Sequence, residues 1–186
     1  MPTVIIRPNS TSSAGNWSVA DANIPGQIND QSDVSFVINN SANQDFTVNL
    51  DDVSLSGATF NSFTVTVRAK VSGKGSSEWN TRLLDTVGSS LLSSTNSSTS
   101  SSSFSDIASG SGSFSAGFSE TAVNGLQVRV LTLNNTQCVI AELFITIDYT
   151  AGSSGYGHDV NSLASANIGK VNAVATANIG KVNSVD

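Results

Sequence analysis

The sequence predicts an all-β protein, an antiparallel β-sandwich of jelly-roll-like layout followed by a short C-terminal repeat arm. Apolar and polar residues alternate in several short runs, which is typical of half-buried strands. Gly, Asn and Ser separate these runs and predict turns. The first 150 residues show no 3.6-residue period with helix caps. The crossover helices of a parallel sheet are therefore missing, and an antiparallel sandwich is favoured.

Seven segments carry the strand pattern. The clearest is 63–71, with aromatic and aliphatic residues on one face and Thr, Arg and Lys on the other. The others are 4–6, 34–38, 46–50, 79–84, 126–130 and 139–149. In the last segment, the alternation places Val139, Ala141 and Leu143 on one face. It leaves Ile140 and Phe144 on the other face, so we expect a neighbouring loop or subunit to cover them.

Residues 89–103 are mostly serine. Low-complexity segments of this composition favour a long flexible surface loop between strands. The alternative is a strand or ribbon in which Ser and Thr pair with a symmetry-related copy. Both interpretations remain open at the level of sequence.

The last 27 residues repeat one phrase almost three times, with a period of eleven residues. We expect a sandwich domain at 1–150, a Gly/Ser linker at 151–159 and a repeat tail for assembly or attachment at 160–186. A unit this small cannot bury its apolar side alone and needs a neighbour. The residues expected to make assembly contacts are Leu163, Ile168, Val171, Val174, Ile179, Val182 and Val185.

The tail has two candidate bound forms. The spacing of its apolar residues averages about 3.6, which favours a trimeric helical bundle. Gly169 and Gly180 each weaken a helix by roughly 1 kcal/mol, which favours an extended arm that docks by strand addition. The arm is the preferred form, and a disordered C-terminus without function is the remaining alternative.

Composition excludes several classes of function. The net charge is −6 with a pI near 4.5, and the eight Lys and Arg residues are scattered, so we expect no nucleic-acid partner. An anionic membrane surface would repel the chain, and no window reaches the roughly twenty apolar residues of a membrane span. The N-terminus lacks a signal-peptide core, so we expect synthesis in a cytoplasm. Cys138 stands alone, which excludes an internal disulfide and favours a buried, inert thiol.

Several ordered motifs carry a resemblance. They are Arg7-Pro8, Asn16-Trp17-Ser18, residues 29–37, Leu55-Ser56-Gly57-Ala58, residues 65–70, residues 124–130 and the end at 147–150. In this order they resemble a β-sandwich domain of virion structural proteins of tailed bacteriophages. The Asn-Ile-Gly-Lys-Val-Asn repeats are similar to those that follow such domains in marine phage structural proteins. Together the two resemblances cover nearly the whole chain. They imply a place in a virion, in its head or its tail, and carry over no catalytic motif.

The chemical inventory argues against catalysis. The single histidine, His158, lies in a glycine-rich linker that would hold a catalytic base poorly. One His and one Cys cannot supply a zinc site. Five aspartates near predicted strand ends could gather around calcium, but turn formation is the favoured role of Asp30, Asp33, Asp45, Asp51 and Asp52. We therefore expect no cofactor, no metal and no enzymatic activity.

Two tryptophans are candidates for sugar contact, because an exposed indole can stack on a pyranose ring. Trp79 lies in the polar setting Ser76–Arg82 and is the candidate glycan contact. The competing interpretation is that each tryptophan fills the end of the sandwich core. Trp17 is expected to take that core role.

These observations favour a non-enzymatic phage virion structural protein. The first expectation is a capsid-associated decoration or head-fibre protein, attached or multimerised through its C-terminal arm. Its partners would be other virion proteins of the capsid or tail and further copies of itself, with a trimer as one expected form. The alternative is a tail or fibre-tip protein that binds host-surface glycans through the β-sandwich. A polysaccharide-binding module attached to an enzyme is a third class.

Overall fold

The computed structural model describes residues 1–15, 17–18, 23–91 and 95–152, together with residues 170–171 and 174–175. Within residues 1–152, ten strands form two antiparallel sheets that pack as a β-sandwich, which confirms the predicted fold class. The strands are β1 (Thr3–Ile6), β2 (Pro8–Ser13), β3 (Val37–Asn39), β4 (Asp45–Leu50), β5 (Thr59–Val71), β6 (Ser77–Leu84), β7 (Thr95–Thr99), β8 (Ser105–Ser113), β9 (Gln127–Thr132) and β10 (Cys138–Thr150).

The two sheets have different strand orders. The first sheet runs β1–β10–β5–β8, and β3 pairs with the start of β10. The second sheet runs β2–β4–β9–β6–β7. Consecutive strands often lie in opposite sheets, so most pairings join distant parts of the chain. Two one-turn helices, α1 (Ile24–Ile28) and α2 (Glu120–Val123), lie between strands.

The core lies between the sheets and follows the strand alternation. Phe63, Val65 and Val67 of β5 are buried, as are Val128 and Val130 of β9. Fully burying a side chain of this size stabilises the fold by about 1.5–3 kcal/mol. The polar residues between them face outward, and these outward rows supply the surfaces described below.

A β-bulge in β10 reverses the face assignment that strict alternation predicts. Ile140 pairs with Ala69 and Glu142 with Arg68, which leaves Ala141 without a partner on β5. The extra residue shifts the phase, so Ile140 belongs to the core and is fully buried. The expectation that a neighbouring loop or subunit covers Ile140 is therefore wrong, because Ile140 packs in the core. Phe144 does lie on the outer face, where the Arg7 guanidinium lies 5.2 Å from its ring centroid.

The strands that the sequence did not predict are rich in Ser and Gly. Thr95–Thr99 forms β7 and pairs with β6 of the same chain, so the predicted loop across 89–103 is wrong for these residues. In β8, a Cβ atom on Gly112 would lie 2.8 Å from Phe63 Cζ. Glycine therefore lets β8 pass close to a core ring. Of the predicted strand at 34–38, only the end belongs to β3.

Candidate functional site

Trp79 does not present its indole to a ligand. Its side chain is fully buried between the sheets, and Nε1–H donates a hydrogen bond to Ser109 Oγ at 3.1 Å. The polar sequence around it arises because Glu78, Asn80 and Arg82 are the outward residues of β6. Trp79 alternates with them and so faces inward. The candidate glycan contact at Trp79 is therefore corrected to a core position.

Trp17 and Cys138 take the buried positions expected of them. Trp17 meets Phe46 edge-to-face, with ring centroids 4.9 Å apart, and its Nε1–H donates to the Gln44 carbonyl at 3.3 Å. The Cys138 thiol is fully buried, and this burial raises its pKa to about 11. A thiol held in its neutral form is a poor nucleophile.

Two of the aspartates considered as calcium ligands, Asp30 and Asp33, make contacts within the protein, and so does Glu142. Asp30 Oδ1 accepts the Ser32 N–H at 3.0 Å, which is a turn contact. Asp33 makes two hydrogen bonds to the Arg68 guanidinium, at 2.6 and 2.8 Å, and this partner lowers the pKa of Asp33. Glu142 pairs with Arg7. Among the residues that the structure describes, no group of three or more His, Cys, Asp or Glu could hold a metal ion.

The repeat tail is described only in part. Lys170–Val171 (β11) pairs antiparallel with Val174–Ala175 (β12), so Val171 lies opposite Val174. Both of these predicted assembly residues are therefore in strand conformation. The other five lie outside the described residues: Leu163, Ile168, Ile179, Val182 and Val185. Within the described part of the chain, no helix is long and apolar enough to cross a membrane.

The outer side of the second sheet carries planar polar side chains on four neighbouring strands. We call this surface the polar face. Its members alternate with core residues along β4, β9, β6 and β7, and strand pairing brings them together. They are Asn49, Arg82, Asn96, Gln127 and Arg129, while Asn80 is buried at 5% exposure and supports Asn96 from below. Carboxylates also lie here, since Asp45 and the exposed Glu78 occupy outward positions of β4 and β6.

Hydrogen bonds within the polar face fix the orientation of its amides. Gln127 Nε2 donates to Asn49 Oδ1 at 2.7 Å, and Asn49 Nδ2 donates to Ser10 Oγ at 2.9 Å. Asn80 Nδ2 donates to Asn96 Oδ1 at 2.9 Å. Each bond uses one end of an amide and leaves hydrogen-bonding capacity at another, such as the Asn96 Nδ2 donors. The face is thus a partly ordered array of donors and acceptors before any ligand arrives.

Two arginines lie opposite each other in the middle of this face. Arg129 of β9 and Arg82 of β6 are direct cross-strand partners, so their Cβ atoms are about 5 Å apart. Arg129 Nε donates to Asp45 Oδ2 at 2.8 Å, and the two side chains are 36% and 32% exposed. Arg82 pairs with no carboxylate of the described residues. Like charges placed directly opposite destabilise a sheet, and an anionic group bound between them would relieve the repulsion.

The first sheet carries a different exposed cluster, which we call the phenylalanine patch. Lys70 Nζ lies 4.3 Å from the Phe104 ring centroid and 5.9 Å from that of Phe36. Phe36 is 38% exposed and Val34 is 86% exposed. The Lys70 ammonium lies within cation–π range of both rings, which stabilises their position.

Sequence reasoning missed both surfaces for the same reason. Segments 46–50 and 126–130 show an outward polar phase, but the register that aligns Asn49 with Gln127 and Arg129 with Arg82 is a property of pairing. The phenylalanine patch needs contacts between residues far apart in sequence. The only local sequence signal for either surface was the alternation of polar and apolar residues along the strands.

The sequence matches no protein-family profile and no curated protein. Solved structures with similar folds include AlyQ, which has CBM32 and alginate lyase domains, with 14% identity and a TM-score of 0.45 over 84% of this chain. This chain spans 36% of that AlyQ structure. The C-terminal CBM6 of the laminarinase LamC from Zobellia galactanivorans gives 10% identity and a TM-score of 0.43, covering 79% of this chain and all of that one. Tailspike protein 4 of bacteriophage CBA120 gives 10% identity and a TM-score of 0.34, covering 80% of this chain and 19% of that one. Likenesses this distant assign no ligand to this chain.

Proposed function

We propose that this chain is a non-enzymatic recognition module that binds carboxylate-bearing glycans through the polar face of its second sheet. The observation that carries the proposal is the cross-strand pair of Arg82 and Arg129, set among oriented amides. Guanidinium groups bind carboxylates in a bidentate geometry. The neighbouring amides supply donors and acceptors for sugar hydroxyls.

The geometry suits a chain-like ligand better than a small molecule. The polar face lies on the flat outer side of a sheet rather than in a deep pocket, so each sugar unit makes few contacts and single-site affinity is low. Binding then depends on several units of one polymer or on several copies of the module. A surface glycan presented as a dense polymer meets that requirement.

The proposal is tested by affinity electrophoresis of the full chain in gels that contain polygalacturonate, with dextran as the neutral polymer. Polygalacturonate should retard the wild-type chain more than dextran does. The double variant Arg82→Gln/Arg129→Gln should lose most of this retardation, because glutamine keeps the polar surface but cannot pair with a carboxylate.

Each single variant, Arg82→Gln or Arg129→Gln, should lose part of the retardation, and its matched control removes one positive charge elsewhere. Lys74 lies in the exposed turn after β5, and the Lys74→Gln variant should bind polygalacturonate like wild type. Equal retardation of the wild-type chain and the double variant would refute the assignment of the polar face. An equal loss of retardation in the Lys74→Gln variant would show that net charge causes the retardation.

We further propose that the module acts on a tailed-phage particle, where the repeat tail attaches it or joins it to other copies. The resemblance of the sandwich motifs and of the repeats to phage structural proteins supports this location. A capsid-associated decoration or head-fibre protein is the form favoured by the repeats, because many copies would share one kind of attachment site. A tail or fibre tip that binds host-surface glycans is the form that the polar face favours.

Copy number separates the two locations. Quantitative mass spectrometry of purified particles should find the chain in either case. A copy number close to that of the major capsid protein supports the head, and only a few copies per particle support the tail. Absence of the chain from purified particles would refute a virion location.

A further inference from the structure

The first sheet has an unpaired edge at β1. Tyr149 N–H donates to the Pro2 carbonyl at 3.1 Å, which makes Pro2 and Tyr149 a hydrogen-bonded pair. Such pairs alternate along an antiparallel ladder. The N–H and C=O groups of Thr3 and Ile5 therefore point away from β10. No strand among the described residues pairs with that side of β1.

A cleft of about 440 Å³ lies along this edge. One wall is β1, and the other is the segment 51–55 that follows β4. The segment joins the edge at one end, where Asp51 N–H donates to the Arg7 carbonyl at 2.8 Å. Ile5 lies on the lining of the cleft, and Thr3 continues the same unpaired edge just beyond it.

The walls of the cleft combine apolar and acidic side chains. Ile5 is 51% exposed, and Leu55 is half-buried at the far wall. Asp51 and Asp52 are exposed beside them. Natural sheets usually protect an edge with lysine, proline or a bulge, because an unprotected edge pairs with other chains. The β1 edge has none of these between Thr3 and Ile6, so it is suited to receive a strand.

We propose that this cleft receives the C-terminal repeat tail of a second copy of this chain, which adds a strand to the β1 edge. The proposal rests on the assembly role assigned to the repeats and is independent of glycan binding. Charge complementarity supports the occupant. Residues 1–150 hold 12 acidic and six basic side chains, whereas each full repeat carries one lysine, Lys170 or Lys181. In an added strand, the lysine of the docked repeat would lie near Asp51 and Asp52, and the Ile and Val side chains of that repeat would cover Ile5 and Leu55.

The local structure of the repeats agrees with strand addition. Lys170–Val171 and Val174–Ala175 already have strand conformation. An added strand would bond with the free N–H and C=O groups of Thr3 and Ile5. Main-chain bonds supply affinity in this mode of binding, and the side chains on alternate positions supply specificity.

Chain connectivity favours a second copy over the chain's own tail. The chain leaves the first sheet at Thr150, and Gly152 packs so closely on Gly57 that a Cβ on it would lie 2.5 Å from the Gly57 carbonyl oxygen. Since β1 separates β10 from the free edge, the chain's own tail would have to cross the end of β1 and then run parallel to it. A neighbour's tail can enter antiparallel, the more stable pairing per residue. Contacts of this head-to-tail kind close into a ring, such as a trimer, or extend into a filament.

The first test is site-resolved amide hydrogen exchange on the full chain at increasing protein concentration, with sedimentation equilibrium at each point. As oligomers form, the Thr3 and Ile5 amides should exchange at least tenfold more slowly. The Val4 and Ile6 amides already bond to β10 and are the internal controls. A chain that stays monomeric, or oligomers that leave Thr3 and Ile5 unprotected, would overturn the proposal. Protection of the Thr3 and Ile5 amides at every protein concentration would indicate that the chain's own tail binds the edge, and this result would also overturn the proposal.

The second test exchanges the charges between cleft and tail. Asp51→Lys/Asp52→Lys and Lys170→Asp/Lys181→Asp should each weaken self-association about tenfold, and combining all four changes should restore it. Glu78→Lys with Lys74→Asp is the matched control and should leave self-association unchanged. If the combined variant self-associates no more strongly than either parent variant, the aspartates of the cleft do not contact the lysines of the tail. The variant with all four changes has the wild-type net charge and keeps Arg82 and Arg129, so its retardation by polygalacturonate reports separately on the proposed function.

Discussion

Replacing Trp79 with alanine should destabilise the sandwich by about 3–5 kcal/mol, the usual range for a fully buried tryptophan. The indole is 0% exposed and fills the core beside β8, where the neighbouring strand offers mainly Ser and Gly. Few large side chains are available there to close the cavity. The change also leaves Ser109 Oγ without its 3.1 Å partner, which contributes about 1–3 kcal/mol to that loss.

Thermal unfolding followed by circular dichroism measures this effect. In a domain of about 150 residues, each kcal/mol corresponds to roughly 2–4 °C, so Tm should fall by about 6–20 °C. Glu78→Ala is the control, because Glu78 is the exposed neighbour on the same strand and should change stability by less than about 0.5 kcal/mol.

The milder variant Trp79→Phe separates a core role from a binding role. It should still fold, with a lower Tm, and bind polygalacturonate like wild type. The reasoning would be refuted if Trp79→Ala kept the wild-type Tm and lost glycan binding, since that result requires an indole exposed to the ligand.

Three further predictions follow from single contacts. The Cys138 thiol should resist alkylation at pH 8 until the protein unfolds, and rapid labelling of the folded protein would contradict this. Because burial raises the pKa of the thiol from 9.0 to about 11, the free energy of unfolding should fall as pH rises across that interval. Gly112→Ala should cost about 1–3 kcal/mol in a denaturant titration, because its Cβ would press on the Phe63 ring, and an unchanged midpoint would contradict the close approach. The Asp33 carboxyl should titrate below 3.8 by NMR, because it bonds to the Arg68 guanidinium. The stabilisation from that pair is present above 3.8 and is lost as pH falls through the lowered pKa; Arg68→Gln should return the pKa toward 3.8, and no movement would contradict the assigned cause.

The strands predicted from sequence were those whose side chains repeat a two-residue period. Segments 63–71 and 126–130 alternate clearly because one face is buried and the other is solvated. Strands β7 and β8 have little apolar material, and their place in the fold depends on pairing with β6 and β5. A prediction from composition alone therefore assigns both segments to loops.

The position of single side chains was harder to predict than the fold. One unpaired residue, Ala141, moved Ile140 into the core, and a bulge of this kind has no reliable local signal. Trp79 was judged from polar neighbours, although polar neighbours are what alternation places on either side of an inward residue. The pairing of Arg82 with Arg129 depends on strand order and register, which a single sequence does not contain.

The most direct test of the central proposal is NMR mapping of the wild-type chain with galacturonate oligosaccharides. The account predicts shifts in the side-chain signals of Arg82, Arg129, Gln127 and Asn96, with the first sheet unchanged. Shifts confined to Phe36 and Phe104, or none at saturating oligosaccharide, would contradict recognition by the polar face.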